Sequence, residues 1–395
     1  MKKKKFRKNK LALVKFRMKK KSLGTLETYF LKGKNTFQIT YSKFLFLVFY
    51  FGLNTIILFN SCQSNDFEKI ESVVLPKMYL SKFTPQPPIV DGLEDILWGE
   101  VNWSDSFIDI EGDKAPPYQT QFKLLWDKKH LYILASLKEP HIWGNLKQRD
   151  TIIYYNNDFE IFLDPDGDTH DYMELEVNAL NTAWDLFLEK PYRNKTKVDN
   201  HWDIEGIQTA VSIEGSLNDP TDLDHRWLLE IALPWTSLKK GNKGDVIPVN
   251  QFWRINFSRV NWDFSLKNGR YYRKQDSEGN YLPEYNWVWS PQWEINMHLP
   301  ERWGYVYFTD NQEENEIEYP EDAQLIQWMY AQYRDKLAQE KKKIPYTSKQ
   351  TASYKSQKIS FDYSILNDTV YWTTFNPINK KTYLIRKDGK LFIRD

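Results

Sequence analysis

The chain has 395 residues and a formal net charge of only +1, a total that conceals two oppositely charged parts. Residues 1–43 carry thirteen lysines and two arginines against one glutamate, a net charge of +14, so the remaining residues sum to −13. An acidic body excludes nucleic acid as a natural partner, because phosphate binding needs a basic surface.

The basic leader is followed by an apolar segment and then by a cysteine. Residues 44–59 are uncharged and rich in Phe, Leu and Ile, and their length is typical of a secretory signal rather than a membrane-spanning helix. Ser61 and Cys62 follow, and Cys62 is the single cysteine of the chain, so no intramolecular disulfide can form. A small residue and a cysteine after such a segment resemble the lipobox of bacterial lipoproteins.

We therefore predict a basic leader and lipoprotein-type signal over residues 1–61, with lipidation at Cys62. The mature protein would then be exported and anchored in a bacterial membrane, at the outer membrane or cell surface. The alternative is an uncleaved membrane anchor with an inert thiol.

Residues 62–85 mix polar residues with Val, Leu and Pro and predict a tether. From residue 86 to 309, short aromatic or β-branched runs alternate with turns, and helical periodicity is confined to one turn near residues 91–98. This texture predicts an all-β fold, an antiparallel β-sandwich in one domain. The predicted strands cover residues 121–126, 130–138, 158–163, 172–179, 183–188, 207–213, 226–233, 252–260 and 304–308.

The composition changes after residue 309. Residues 310–343 contain an acidic stretch and then apolar residues at helical spacing, which predicts an amphipathic helix over residues 323–341 that packs on the sandwich. Residues 344–395 read as a linker, up to residue 356, and a C-terminal β hairpin of two or three strands.

Two runs in the middle of the sandwich, residues 158–163 and 172–179, alternate apolar and polar side chains with period two. Each should therefore be a strand with one buried face. Glu160, Glu174, Glu176 and Asn178 then stand on neighbouring strands, several of them on a common face. Acidic and amide groups on a sheet with aromatic residues nearby suit a polyhydroxylated ligand, which indicates a sugar.

The turn between these strands places Asp164, Asp166 and Asp168 within five residues. Carboxylates at this density are typical ligands of hard cations such as Ca²⁺. The run lacks the distal glutamate of a complete EF-hand loop, and an Asp-rich turn without a metal is the alternative interpretation.

Six sequence blocks follow one another in the order and spacing of a known family. They are Ile89–Gly92 with Asp95 and Trp98, Leu124–Asp127 with Leu131–Ile133, Asn157–Phe162, Trp227–Trp235, Trp253–Phe257, and Trp289–Ser290 through Trp303–Gly304. Together they resemble a family 9 carbohydrate-binding module over residues 86–309.

The resemblance implies an immunoglobulin-like antiparallel β-sandwich that binds the ends of oligo- or polysaccharide chains. It also implies structural calcium, for which the three aspartates of the turn are the candidate ligands. Modules of this family serve xylan- and cellulose-degrading systems, so glycoside hydrolases are the implied partners.

The family holds its sugar between two aromatic rings and bonds the hydroxyl groups with acidic, amide and basic side chains. The position of the first ring falls on Tyr154 and that of the motif acid on Glu160. An Arg-x-Asn pair of the family becomes Glu176 and Asn178 here, so the amide persists and the cation is lost.

The remaining family positions are less well conserved in this chain. A polar position on the strand of Asn256 falls on Ser258 or Arg259, of which we select Arg259. The second ring position falls on Met297, and Trp184 is the candidate replacement wall. Loss of one stacking ring would weaken sugar binding by roughly tenfold.

Three alternatives to a sugar-binding module remain open. Glu160 and Glu176 could form the acid/base pair of a glycoside hydrolase, although a sandwich without a deep cleft favours binding over catalysis. Met297 and His298 could be axial ligands of haem in an electron-transfer sandwich, except that neighbours on a strand face opposite ways. A structural surface protein whose sugar site has been lost is the third.

Overall fold

The computed structural model describes residues 68–241, 246–343 and 350–395, all within the compact unit Phe67–Asp395. The predictions for the basic leader, the apolar segment and Cys62 lie outside these residues. Among the residues described, no helix combines the length and apolar character needed to cross a membrane.

The described residues form mostly β-strands with one long helix, α1 (Ala323–Lys341), and short 3-10 turns such as Ile153–Tyr155 and Tyr192–Asn194. In chain order the strands are β1 (Glu68–Lys69), β2 (Met78–Phe83), β3 (Ile108–Asp109), β4 (Thr120–Trp126), β5 (His130–Lys138), β6 (Asp158–Asp164), β7 (Tyr172–Asn178), β8 (Ala183–Leu188), β9 (Val198–Asp199), β10 (Gln208–Glu214), β11 (Arg226–Pro234), β12 (Gln251–Asn261), β13 (Phe264–Lys267), β14 (Arg270–Arg273), β15 (Tyr285–Val288), β16 (Gly304–Thr309), β17 (Gln350–Tyr354), β18 (Gln357–Leu366), β19 (Thr369–Phe375), β20 (Thr382–Arg386) and β21 (Leu391–Arg394).

One large sheet carries the central domain, in the order β10-β11-β5-β4-β2-β16-β12-β6-β7-β8-β9, with β15 and β3 attached beside β12. Apolar side chains from β4, β5 and β11 share a single core with those from β6, β7 and β12. The two halves of the sheet therefore enclose one core between them. The predicted all-β sandwich, with a C-terminal helix and a small C-terminal β segment, is confirmed.

Strand alternation decides which side chains enter that core. In β6, Phe159, Ile161 and Leu163 belong to the core, so Glu160 and Phe162 lie on the opposite face. All nine predicted strands have a counterpart in the structure, with ends that differ by one residue or by none.

The predicted tether over residues 62–85 is wrong for its C-terminal part. Strand β2 inserts into the large sheet and pairs in parallel with β16 on one side and with β4 on the other. Tyr79 packs against the core, and Ser81 is fully buried. Pairing between strands so distant in the chain leaves no local sequence pattern, and the Pro-rich residues that follow made this segment resemble a linker.

The helix α1 has the predicted bounds, but its main packing partner is not the predicted one. Its Trp328 and Tyr333 share a core with Phe361 and Trp372 of a second sheet, ordered β1-β17-β18-β19-β20-β21. The C-terminal segment therefore holds five strands where two or three were expected, because the polar strand β17 resembles a linker in sequence. Contacts of α1 with the sandwich include a polar one, from the Gln327 amide to the Glu301 carbonyl oxygen at 2.8 Å.

Candidate functional site

A pocket of about 350 Å³ lies over β6, β7 and β8, on the sheet face that points away from the main core. Its lining combines acidic, aromatic and apolar side chains from these strands and from distant loops. The lining residues are Ile110, Tyr154, Glu160, Phe162, Glu174, Glu176, Trp184, Leu186, Tyr192, Val260, Glu284, Asn286, Ile295, Asn296, Met297 and His298.

The register of the sheet aligns the predicted site residues in one row. Glu160 of β6 lies directly opposite Glu176 of β7, which in turn lies opposite Trp184 of β8. On the other side of Glu160, the opposite residue is Ser258 of β12. Residues opposite each other across strands have Cβ atoms about 5 Å apart, so the two glutamates stand side by side with an indole at the end of the row.

Loops supply the walls of the pocket. Tyr154 comes from the turn Ile153–Tyr155, and its backbone N–H donates to Glu176 Oε2 at 2.9 Å, which ties this wall to the floor. Tyr192 contributes a second phenol, 43% exposed, whose ring centroid is 4.2 Å from that of His298. Trp184 carries an indole Nε1 with no hydrogen-bond partner among the described residues. The pocket therefore offers aromatic surfaces and an indole donor without a partner of its own among the described residues.

The floor of the pocket is strongly acidic. Asp158, Glu160, Glu174 and Glu176 are each at most 5% exposed. Burial raises the pKa of Glu160 to about 7 and raises the pKa of the other three carboxyls well above the ordinary value. Repulsion from neighbouring carboxylates adds to this effect at Asp158, Glu174 and Glu176.

Basic side chains do not compensate this charge. Among the described residues, the pocket lining contains neither lysine nor arginine. Burial lowers the pKa of His298 to about 3, so its imidazole is neutral near pH 7, and its Nε2 is 3.9 Å from Glu174. Its Nδ1 is 2.9 Å from the hydroxyl of Tyr172. The neutral histidine can orient a ligand but supplies no positive charge.

Several floor oxygens have no hydrogen-bond partner within the part of the chain that the structure describes. They are both carboxylate oxygens of Asp158, one oxygen each of Glu160 and Glu174, and the hydroxyl of Ser258. Asp158, Glu160 and Glu176 each present an oxygen within 4.8 Å of the others. The floor can accept hydrogen bonds from ligand hydroxyl groups or coordinate a cation.

Five of the predicted sugar contacts meet at this pocket: Tyr154, Glu160, Glu176, Trp184 and Met297. Met297 and His298 both line it, although neighbours on a strand would face opposite ways, because their segment is a loop. Strand geometry therefore does not separate Met297 from His298. The roles of these residues in binding stay predictions.

Arg259 is not at the pocket, which corrects its expected placement. Ser258 occupies the outward position of β12, so Arg259 points to the other face, where it is fully buried. There its guanidinium bonds the Glu139 carboxylate and donates to the Lys138 carbonyl oxygen at 2.8 Å. It also lies over the ring of Trp287, 4.9 Å from the centroid.

Asn178 is likewise displaced from its expected role. It is fully buried at the end of β7, and its side-chain oxygen accepts from the backbone N–H groups of Leu180 and Thr182 at 3.0 Å. Its amide nitrogen donates to the Leu146 carbonyl oxygen at 2.9 Å. The amide therefore stabilises the β7–β8 turn and a neighbouring loop.

The Asp-rich turn has the predicted position between β6 and β7. Oxygens of Asp164, Asp166 and Asp168 lie within 4.8 Å of one another, which suits a hard cation. Backbone N–H groups of Gly167 and Thr169 donate to Asp164 at 3.1 and 2.9 Å. The ammonium of Lys390, from β20–β21, is 3.0 Å from Asp168. Calcium at this turn stays a prediction.

Other pocket residues were not selected from the sequence. Glu174 could have been, because it shares the outward face of β7 with Glu176. Tyr192, Glu284 and Asn286 come from segments outside the two alternating runs, and no local pattern marks them. Their position depends on how the loops fold back over the sheet.

A family model matches the part of the chain that contains the floor of this pocket. Residues 90–252 match the model of the family described as carbohydrate family 9 binding domain-like. The matched range contains β6, β7 and β8, and with them Glu160, Glu176 and Trp184. The resemblance predicted from the six sequence blocks is confirmed.

Curated relatives match over part of this chain only. Endo-1,4-beta-xylanase A of Thermoanaerobacterium saccharolyticum is 26% identical over 155 residues, which are 39% of this chain and 11% of the relative. Exoglucanase XynX of Acetivibrio thermocellus is 24% identical over 151 residues, 38% of this chain and 12% of the relative. The chain thus spans about a tenth of the length of these relatives.

Solved structures show distant similarity. A family 9 carbohydrate-binding module of Caldicellulosiruptor kristjanssonii in complex with cellotriose is 18% identical, with a TM-score of 0.37, and the match covers 62% of this chain and 100% of that module. A candidate carbohydrate-binding protein of Bacteroides uniformis is 14% identical, with a TM-score of 0.43, over 59% of this chain and 99% of that protein.

Proposed function

Because residues 90–252 match the model of the carbohydrate family 9 binding domain-like family, we propose that this protein binds oligo- or polysaccharide in the pocket over β6, β7 and β8. The observation that carries the proposal is the row of Glu160, Glu176 and Trp184, with Tyr154 beside it. This row puts hydrogen-bond acceptors on the floor and aromatic surfaces around them.

The chemistry of a sugar ring matches both surfaces. Its hydroxyl groups donate hydrogen bonds to Glu160 and Glu174, each of which has one oxygen without a hydrogen bond among the described residues. Its C–H groups pack on Tyr154 and Trp184, and the Trp184 N–H donates to a ring or hydroxyl oxygen. A pocket of about 350 Å³ is at the small end of ligand sites, which supports binding of a chain end.

We further propose that the protein is exported, anchored through a lipid at Cys62, and assists separate glycoside hydrolases in polysaccharide catabolism. The apolar segment followed by Ser61 and Cys62 supports the anchor. The names of the relatives, a xylanase and an exoglucanase, support xylan or cellulose as the polysaccharide class. Metabolic labelling with a palmitate analogue, compared with Cys62→Ala, tests the anchor.

Calcium at the Asp-rich turn is a separate proposal about stability. Asp164, Asp166 and Asp168 would hold the ion, which would neutralise carboxylates at the start of the β6–β7 connection. Chelation should then lower the unfolding midpoint. An unchanged midpoint in the chelator would exclude a stabilising ion.

A decisive binding experiment compares Glu160→Gln with the unmodified protein on xylan and cellulose oligosaccharides. The substitution keeps the shape and removes the charge, so we expect about tenfold to a hundredfold weaker binding in titration calorimetry. The matched control is Glu278→Gln in an exposed turn away from the pocket. Equal affinities for all three proteins would refute the proposed site.

The second candidate function is hydrolysis. It is favoured by a specific observation: Glu160, with a pKa raised to about 7, lies opposite another carboxylate, as in an acid/base pair. Release of reducing ends from the same oligosaccharides, abolished by Glu160→Gln, would establish catalysis. Binding without any release of reducing ends supports the non-catalytic module.

A further inference from the structure

The carboxylate cluster at the pocket floor has the geometry of a metal site that is distinct from the Asp-rich turn. Asp158 and Glu160 come from β6, and Glu176 comes from β7 opposite Glu160. One oxygen from each lies within 4.8 Å of the other two. Ligand oxygens around Ca²⁺ stand at 2.3–2.6 Å from the ion, so their mutual separations extend to about twice that distance.

The orientation of Asp158 is the second observation. Its side chain is fully buried and belongs to this cluster, and neither oxygen completes a hydrogen bond among the described residues, although the Val260 backbone N–H lies close enough to favour its charged form. The Ser258 hydroxyl likewise favours the charged form of Glu160, but neither that hydroxyl nor Glu160 Oε2 completes a hydrogen bond there. Buried carboxylate oxygens are costly to leave without a partner, so a partner absent from the polypeptide is indicated.

Other buried carboxylates of this protein do have partners of their own. Glu139 is bonded by the Arg259 guanidinium. Glu301 accepts from Arg193 at 2.8 Å, and Asp185 accepts from Arg149 at 2.6 Å. The floor differs, because within the described ranges no lysine or arginine reaches Asp158, Glu160 or Glu176 within 4.0 Å.

We infer that Asp158, Glu160 and Glu176 bind a hard divalent cation of the Ca²⁺ class at the floor of the pocket. Carboxylate and hydroxyl oxygens are the ligands that such ions prefer, and Ser258 can supply a fourth oxygen. An organic ammonium ion is the less suitable occupant, since Asp158 is fully buried and does not line the pocket.

The cation site faces the ligand. Glu160 and Glu176 line the pocket, so the open coordination positions of the ion point toward a bound sugar, whose hydroxyl oxygens can complete the sphere. This coupling rests on the proposed function, whereas ion binding does not. The ion also replaces, in charge, the arginine that the family resemblance expects at the position of Glu176.

Calorimetry with Ca²⁺ and luminescence with Tb³⁺, on protein stripped of metal, test the ion site. We compare the unmodified protein with Asp158→Asn, with Glu160→Gln, and with the control Asp166→Asn in the Asp-rich turn. The floor variants should each lose one equivalent of bound ion or at least tenfold in its affinity. The control Asp166→Asn should still bind an ion at the pocket floor with unchanged affinity.

Several results would overturn the inference. One is an unmodified protein that binds neither ion, or whose unfolding midpoint Ca²⁺ leaves unchanged. Another is unchanged stoichiometry and affinity in both floor variants. Should Asp158→Asn fail to fold, as judged by circular dichroism, Glu160→Gln and the effect of Ca²⁺ on the unfolding midpoint of Asp166→Asn, which keeps the floor carboxylates, decide the matter.

Sugar titrations with and without Ca²⁺ separate this inference from the proposed function. Ion binding with tighter sugar binding supports both. Ion binding that leaves sugar affinity unchanged refutes only the coupling. Sugar binding by a protein that binds no ion at the floor refutes the ion site and keeps the proposed function. Ion binding at the floor without affinity for any sugar keeps the ion site and refutes the proposed function.

Discussion

The pocket floor and the Asp-rich turn each contain a cluster of carboxylates, but the fold surrounds the two clusters with different partners. Each gathers three carboxylates whose oxygens lie within 4.8 Å of one another. At the turn, backbone N–H groups donate to Asp164, and Lys390 bridges Asp168 and Asp171 at 3.0 and 3.2 Å. At the floor, no lysine or arginine among the described residues makes an equivalent contact.

The difference originates in the C-terminal segment. The backbone N–H of Leu391 donates to the Asp168 carbonyl oxygen at 3.1 Å, and the Thr169 hydroxyl donates to the Gly389 carbonyl oxygen at 3.0 Å. The β20–β21 hairpin therefore places Lys390 at the Asp-rich turn and packs against this turn. A compensated cluster stabilises the fold, whereas an uncompensated cluster beside a pocket is available for a ligand.

The largest expected effect comes from removing the cation of a compensated carboxylate. Arg259→Ala leaves Glu139 charged and buried without its partner, which should cost about 3–5 kcal/mol of unfolding free energy. Sugar affinity of the folded fraction should remain, because Arg259 does not reach the pocket. Urea denaturation measures the loss, with exposed Arg270→Ala as the control.

A loss below 1 kcal/mol would show that Glu139 does not depend on Arg259. Sugar binding abolished in a folded Arg259→Ala protein would restore its predicted role as a contact.

In metal-free protein, the contribution of the floor carboxyls to the unfolding free energy should depend on pH. Glu160 has a folded pKa of about 7, above its ordinary 4.5, so the folded state binds more protons in that interval. Its contribution to the unfolding free energy therefore falls as pH rises from 4.5 to 7, by an amount on the order of 3 kcal/mol. Asp158, Glu174 and Glu176 act in the same direction, and His298, with its lowered pKa, opposes them.

Comparing Glu160→Gln with the unmodified protein isolates this contribution. The variant should be the more stable protein at pH 7.5, and its advantage should vanish near pH 4.5, as measured by urea denaturation in a chelator. Added Ca²⁺ should reduce the advantage at pH 7.5. An advantage that is independent of pH would contradict the assigned pKa of Glu160.

Lys390→Met should leave the carboxylates of the Asp-rich turn without their lysine partner, as at the pocket floor. The lost ion pairs with Asp168 and Asp171 should cost about 1.5–3 kcal/mol, since both Lys390 and Asp168 are largely buried. Thermal unfolding measures the effect, and Ca²⁺ should stabilise this variant more than the unmodified protein. The control is Lys381→Met on the exposed surface of the same domain, and equal stability of the two variants would contradict the role of Lys390.

Substitutions in the walls of the pocket should weaken sugar binding less than substitutions in its floor. Tyr154→Ala removes one stacking surface, which should weaken sugar binding by about twofold to tenfold without altering Ca²⁺ binding. Calorimetry measures both affinities. A loss of Ca²⁺ binding in this variant would instead show that the Tyr154 turn is needed to shape the floor. Tyr155→Ala, which alters a neighbouring tyrosine outside the pocket lining, is the matched control.

Much of the site could be predicted because it lies on strands with clear alternation. Phe159, Ile161 and Leu163 mark the buried face of β6, so the outward position of Glu160 follows from period two. The same pattern places Glu176 on β7. The selection of Arg259 over Ser258 placed the polar contact on the wrong face of β12, because a shift of one residue exchanges the faces of a strand.

Local pattern in the sequence determined the strand segments, the bounds of α1, the Asp-rich turn and the family resemblance, because alternation, helical spacing and turn residues act over a few positions. Tertiary structure alone decided that β2 enters the sheet, that Tyr192 and Glu284 line the pocket, and that Lys390 reaches the turn. These contacts join residues far apart in the chain. They depend on how whole strands and loops pack, which no short stretch of sequence records.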